Sequence, residues 1–259
     1  MSPALEIEGL AVHIGGLVAI SDMSFAVPDG RIVSLIGPNG AGKTTAFNVV
    51  TGYMRPTKGR VLVHGRDVTG APPEKIAALG VVRTFQRTSI FAGCTVAENV
   101  LMALHLAGRS GLLGAVLRLP SMRREERRLA AEAAEILAFA RLSHRADEIA
   151  GNLAYGEQRL LGLAIALAAH PRLLLLDEPA AGLNPSETEA FKTLIARIRD
   201  RGVTVLLVEH DMQMVMSISD AVVVLNQGRI VAEGPPAEIQ AHPEVISAYL
   251  GSGRRRAAA

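Results

Sequence analysis

The sequence predicts an α/β fold: a mixed, mostly parallel sheet with an N-terminal antiparallel β subdomain and an inserted helical lobe. Three observations lead there. Short apolar runs rich in β-branched residues alternate with segments of helical period, the pattern of a covered, mostly parallel sheet. The opening Leu5–Val27 and the closing Ala221–Ala232 instead resemble short antiparallel strands at a sheet edge. The middle, from about Arg87 to Asn152, has almost no strand signal and reads as helical.

Taken in order, Ile32–Ile36, Val61–Val63, Leu173–Leu176, Val203–Val208 and Ala221–Leu225 are the apolar runs expected as strands. Val81–Phe85 is strand-like and ends at Gln86, the entrance to the lobe. Helical period marks Lys43–Val50, Glu125–Phe139, Gln158–Ala169 and Glu187–Arg199. One domain over residues 4–250 accommodates these elements. Its core covers 4–86 and 160–234, its lobe 87–159, and a C-terminal helical segment 236–250. The tail 251–259, of Gly, Ser, three arginines and three alanines, is expected to be disordered.

Composition narrows the function classes. Of 259 residues, 49% are hydrophobic and 20% charged, as in a globular chain with a substantial core. Aromatics make up 3%, Trp is absent and the formal charge is +2, so neither stacking platforms nor a basic surface points to a nucleic-acid partner. The single cysteine, Cys94, excludes an internal disulfide framework and fits a reducing compartment, where it is expected as a small buried apolar residue. The N-terminus carries Glu6 and Glu8 rather than a basic region before an apolar run, so no targeting segment is read. The longest apolar stretches, Leu160–Ala169 and Leu173–Leu176, fall far short of the roughly 20 residues that span a bilayer. The chain is expected to be soluble, with any membrane role exercised through a partner.

Gly37-Pro38-Asn39-Gly40-Ala41-Gly42-Lys43-Thr44 has the two glycines and the Lys-Thr of a phosphate-binding loop, placed after one strand and at the start of a helix. This identifies a P-loop NTPase core. The glycines let backbone N–H groups curl around phosphate oxygens, and the helix N-terminus adds positive potential. Lys43, on what reads as a surface loop, is expected to reach the β- and γ-phosphates of ATP. Thr44 is expected to ligate Mg²⁺, with Thr45 beside it. The apolar run Leu173–Leu176 delivers Asp177 and Glu178 at its carboxyl end, where α/β sheets bind ligands. Asp177 is the expected Mg²⁺ residue, and Glu178 the general base that polarises the attacking water.

Three further pieces restrict this to one kind of ATPase. Leu153-Ala154-Tyr155-Gly156-Glu157-Gln158 precedes a long apolar helix, Gln86 ends a strand, and Glu209-His210-Asp211 follows Val203–Val208. With these motifs in this order over roughly residues 4 to 250, the chain resembles the nucleotide-binding domain of an ATP-binding-cassette (ABC) transporter. The resemblance implies a dimer of two such subunits, identical or homologous, sandwiching two ATP molecules. Each ATP lies between one subunit's phosphate loop and the other's Leu153–Gln158, including Ala154, Tyr155, Gly156 and Glu157. It also implies that Gln86 senses Mg²⁺ and water and joins core to lobe. Ala181-Gly182-Leu183-Asn184 would cross the dimer interface, and His210 would contact the γ-phosphate.

Two positions depart from the family pattern. Ala154-Tyr155 stands where Ser-Gly is usual, which removes a hydroxyl donor to the partner's γ-phosphate. An uncompensated hydrogen bond to a charged group is worth roughly 1.5–3 kcal/mol. Ile14 stands near where an aromatic residue often stacks on adenine; it packs on a base without a π-face, and strand alternation points His13 the other way.

The Ala-Tyr pair, Arg83-Thr84-Phe85-Gln86, Asp177–Pro185 and Glu209–Met212 together resemble the ATPases of branched-chain amino acid importers. Ser110–Ser121 resembles an insertion of that group, and Ala248–Gly251 its ending. The arginines at 118, 123, 124, 127 and 128 read as a solvated helix face. The resemblance implies transmembrane permease subunits, a periplasmic or extracellular solute-binding protein acting through them, and a place at the cytoplasmic face of the membrane. The alternatives are a related single-domain exporter or lipopolysaccharide-extraction ATPase, and a repair or translation ATPase. The last calls for tandem cassettes, coiled-coil or zinc inserts, or a basic stripe, and the sequence shows none of these.

Overall fold

A computed structural model describes residues 2–84, 90–107 and 120–247. The chain forms two compact units, one over 1–83, 172–181 and 195–259, the other over 84–171 and 182–194.

The first unit carries the strands: β1 Leu5–Ile14, β2 Leu17–Val27, β3 Ile32–Ile36, β4 Lys58–Val63, β5 Arg66–Asp67, β6 Val81–Thr84, β7 Leu173–Asp177, β8 Thr204–Val208, β9 Ala221–Asn226 and β10 Arg229–Gly234. They form a ten-stranded sheet in the order β5-β4-β1-β2-β10-β9-β3-β8-β7-β6. β9, β3, β8 and β7 are mutually parallel. β3, β7 and β8 are buried at every position, which explains their unbroken apolar runs: both faces of a parallel sheet are covered. β1 pairs antiparallel with β2 and β4; burial alternates along much of β2 and β4 and at the start of β1, whereas Leu10–Val12 of β1 are buried in succession.

Two expectations are corrected here. β1 and β2 are long, at 10 and 11 residues, rather than short. The closing hairpin β9–β10 is antiparallel as read, but it lies inside the sheet, with β9 parallel to β3 and β10 parallel to β2. Hairpin signals report the local pair only, and non-local partners decide whether it sits at an edge.

The same unit holds α1 Lys43–Val50, α2 Pro73–Ala77, α7 Met212–Ile218 and α8 Pro236–Ala241. Phe47 of α1 is fully buried among apolar side chains of both sheet regions, including Leu10, Ile20, Leu35 and Leu175. The second unit holds α3 Val96–Ala107, α4 Pro120–Phe139 and α5 Tyr155–Ala168, which pack pairwise. Leu104, Leu129, Leu137 and Leu161 are among its buried residues. Helix α5 is continuous through residue 159, starts at the Ala-Tyr segment and lies wholly in this unit. Helix α6, Pro185–Asp200, begins in the second unit and ends in the first. Among the described residues no helix is long and apolar enough to cross a membrane. Cys94 is half-buried rather than buried.

Candidate active site

The parallel register sets the site. Leu35 of β3 and Asp177 of β7 both pair with Val208 of β8, so the loops leaving these three strands emerge at one level, at their carboxyl ends.

The loop Gly37–Gly42 is seated on backbone. A Cβ at Gly37 would lie 2.0 Å from the Leu225 carbonyl oxygen, closer than any side chain tolerates. Gly42 has φ 107° and precedes α1, and a Cβ there would lie 2.8 Å from the Ala19 carbonyl oxygen. The Gly228 N–H donates to the Ala41 carbonyl at 3.0 Å. Pro38 is half-buried, Asn39 and Gly40 are exposed, Ala41 is buried, Thr44 is exposed and Thr45 is half-buried.

Lys43 is only 6% exposed, which corrects its reading as a surface residue. Its side chain folds back under the loop, where Nζ donates to the carbonyls of Gly37 at 2.7 Å and Pro38 at 3.0 Å. Burial pushes the ammonium pKa down, while the charges of Glu178 and Asp177 oppose that shift. A cation held this way stands preformed in the cradle.

Asp177 is buried at the end of β7, and its Oδ2 accepts from Arg83 Nη2 at 2.7 Å. Arg83 lies on β6, also donates to Asn48 Oδ1 at 2.8 Å, and sits 5.4 Å over the Phe47 ring. Glu178 adopts φ 47°, a conformation that L-residues hold only against strain. Its N–H donates to the Val208 carbonyl at 2.8 Å, and its Oε1 lies 2.7 Å from His210 Nε2. The two sequence-predicted catalytic groups are therefore in contact. Gln86 lies outside the described residues, as do nearly all of Ser110–Ser121, the ending Ala248–Gly251 and the tail.

Glu209 carries no role in the sequence reading, yet it is buried at this point. Its Oε1 accepts from the Ala180 N–H at 2.7 Å and its Oε2 from the His210 N–H at 3.0 Å. Desolvation pushes its carboxyl pKa up, partly offset by hydrogen bonds from the backbone of Ala180, His210 and Asp211. Arg83 likewise entered only as part of a resemblance. A charged residue inside an apolar strand run, at Arg83, or directly after one, at Glu209, is the available signal, since buried charge must be paired. Its partners depend on strand neighbours that sequence order does not reveal.

The segment Leu153–Gln158 lies in the second unit. Ala154 is the N-cap position of α5, and its N–H donates to Glu157 Oε2 at 3.2 Å. Glu157 Oε1 also accepts from Arg145 Nε at 2.9 Å. Tyr155 is 45% exposed, and its hydroxyl accepts from Arg159 Nε at 3.0 Å. A Cβ at Gly182 would meet the Tyr155 ring at 3.1 Å, so the ring stands against Gly182. Gly156 is buried next to the Glu187 carboxylate. At the tip of the β1–β2 hairpin, His13 and Ile14 are both exposed, the latter at 47%. Arg124, Arg127 and Arg128 are exposed on α4, and Arg128 pairs with Glu125 at 2.6 Å.

Comparison with known proteins identifies the family. The ABC transporter family model matches residues 20–181, and the branched-chain amino acid ATP-binding cassette transporter model matches residues 229–254. The chain is 48% identical over 250 residues to the high-affinity branched-chain amino acid transport ATP-binding protein BraF of Pseudomonas aeruginosa, covering 96% of this chain and 98% of that one. To the corresponding protein LivG of Escherichia coli K12 it is 46% identical, with the same coverage. The crystal structure of the ADP conformation of MJ1267, an ATP-binding cassette of an ABC transporter, superposes with a TM-score of 0.83 and 29% identity. That match covers 97% of this chain and 100% of the other. The chain belongs to the ABC transporter family, in its branched-chain amino acid ATP-binding group.

Proposed function

We propose that the chain binds and hydrolyses ATP to power uptake of branched-chain amino acids, or similar small solutes, through partner permease subunits in the membrane. One observation carries the reading. A buried ammonium, Lys43, a buried carboxylate, Asp177, and a carboxylate–imidazole pair, Glu178 and His210 at 2.7 Å, sit on loops that leave adjacent parallel strands at one level.

The loop's N–H groups and the N-terminus of α1 receive the phosphates, and Lys43 exchanges loop carbonyls for phosphate oxygens. Glu178 takes the proton of the attacking water, and His210, already bonded to it, orients that carboxylate and meets the γ-phosphate. Among the described residues the exposed Thr44 and Asp177 offer the oxygen donors that Mg²⁺ takes, and they would hold it, with Gln86 the third ligand expected from the sequence. When bound there, Mg²⁺ would supply positive charge to offset that of the phosphates. Asp177 shares one oxygen with Arg83, which fixes the carboxylate in place.

Ala154–Glu157 of a second subunit, a copy or a homologue, would close over the nucleotide, with the N–H groups of Tyr155 and Gly156 in place of the usual serine hydroxyl. Ile14 would pack on the base. Closing and opening of the dimer would then drive permeases gripped at the cytoplasmic face, and the solute would arrive from an external binding protein.

The test is reconstitution of the chain with co-expressed permeases and binding protein in vesicles loaded with ATP-Mg²⁺. ATP-dependent accumulation of labelled leucine, isoleucine or valine, with ATPase activity raised by loaded binding protein, is the expected result. Uptake without ATP, or turnover indifferent to the permeases, would contradict it.

A further inference from the structure

Resting on the nucleotide-hydrolysis reading, we infer that Glu209 is a positioning residue, a buried carboxylate that fixes the loop carrying Glu178 against the loop carrying His210. The two loops leave neighbouring strands, β7 and β8. Backbone pairing ends at Asp177 and Val208, just where both loops must be held to better than the length of one hydrogen bond. Across that gap Glu209 uses its two oxygens on opposite sides. Oε1 takes the Ala180 N–H, two residues after Glu178, and Oε2 takes the His210 N–H on its own loop.

The Glu178 N–H to the Val208 carbonyl and the Ala181 N–H to the Glu178 carbonyl complete the frame. Within it, the Glu178–His210 contact closes at 2.7 Å. Burying a carboxylate here is costly, and desolvation does push its pKa up. A chain needing only to join two loops has cheaper means in a serine or an asparagine. Two divergent oxygens on one rigid group set the separation and orientation of both backbones together. That is the requirement of a paired acid and imidazole.

Glu209→Gln tests this directly. An amide keeps one acceptor oxygen and turns an NH₂ toward a backbone N–H, so one of the two loops is released while the volume is kept. Turnover is expected to fall about 10–100-fold, as for a sub-ångström misplacement of a reacting group. Affinity for a non-hydrolysable ATP analogue should change less than about threefold, because no phosphate-loop contact is touched. Placed on His210→Ala, the same change should cost less than about twofold more, since the contact it sets is already gone.

Glu209→Asp, which keeps the charge but is too short to span both loops, should lose turnover in the same sense and guards against a Gln variant that fails to fold. A lowered melting temperature with full turnover per folded molecule in either variant would overturn the proposal. So would a full additive loss on the His210→Ala background. Failure of the underlying reading is separately visible: a wild-type chain without ATPase activity, or His210→Ala at full turnover, would sink both.

Discussion

Replacing Glu178 with glutamine isolates the chemical step. The change keeps the side-chain shape and leaves the backbone frame alone. The N–H of Glu178 still donates to Val208 at 2.8 Å, and its carbonyl still accepts from Ala181 at 3.2 Å. The φ of 47° is held by these bonds rather than by the carboxylate, so the fold and the phosphate loop should persist. What disappears is the base and the charge on the 2.7 Å contact to His210. General-base catalysis by a positioned side chain contributes about 10²–10⁴-fold, which at about 1.36 kcal/mol per tenfold is roughly 2.7–5.4 kcal/mol of transition-state stabilisation. ATP affinity should stay within about threefold, because Lys43 and the loop are untouched. Nucleotide bound without hydrolysis should then hold two subunits together. The assay pairs steady-state ATPase rates with light scattering at millimolar ATP-Mg²⁺, supplying the homologous subunit if the chain does not pair with itself. Retention of more than about a tenth of the turnover would refute the base assignment. A variant that stays monomeric with every partner would refute the sandwich.

The remaining predictions concern the imidazole and the exposed ring of Phe91. His210→Ala should slow turnover about 10–100-fold with little effect on nucleotide affinity, read by the same kinetics and by calorimetry. Phe91→Ala should cost the isolated subunit only about 1 kcal/mol, because the ring is 56% exposed, against roughly 3–5 kcal/mol for a buried phenylalanine. We propose this exposed ring as an anchor for the permeases, so melting temperature and basal ATPase should hold while assembly with them weakens. A melting temperature many degrees lower would contradict the anchor role.

Much of the site was legible because its residues sit in runs that local physics controls. Glycines that backbone crowds at Gly37 and Gly42, and apolar strands ending in Asp177 and at Glu209-His210, are features of contiguous sequence. The same holds for the parallel core, since Ile32–Ile36 and Leu173–Leu176 are apolar without alternation. What escaped depends on neighbours distant in sequence. The β9–β10 hairpin reads as an edge element because nothing in Ala221–Ala232 announces β3 on one side and β2 on the other. Arg83 is 94 residues from the Asp177 it pairs with. Glu209 reads as a strand-end acid until Ala180, 29 residues away, is brought to its oxygen. Lys43 reads as exposed on a polar glycine loop, and only the loop's curl shows its ammonium turned inward onto Gly37 and Pro38.

The central claim, that the Gly37–Thr44 loop is where ATP binds, is tested most directly by titrating ATP into the wild-type chain and into Lys43→Ala by calorimetry. Loss of a charge-assisted hydrogen-bonding group worth roughly 1.5–3 kcal/mol should weaken binding by about 10–100-fold or more. The variant should remain folded, since the two bonds it gives up lie within its own loop. An affinity unchanged between the two proteins would contradict the account.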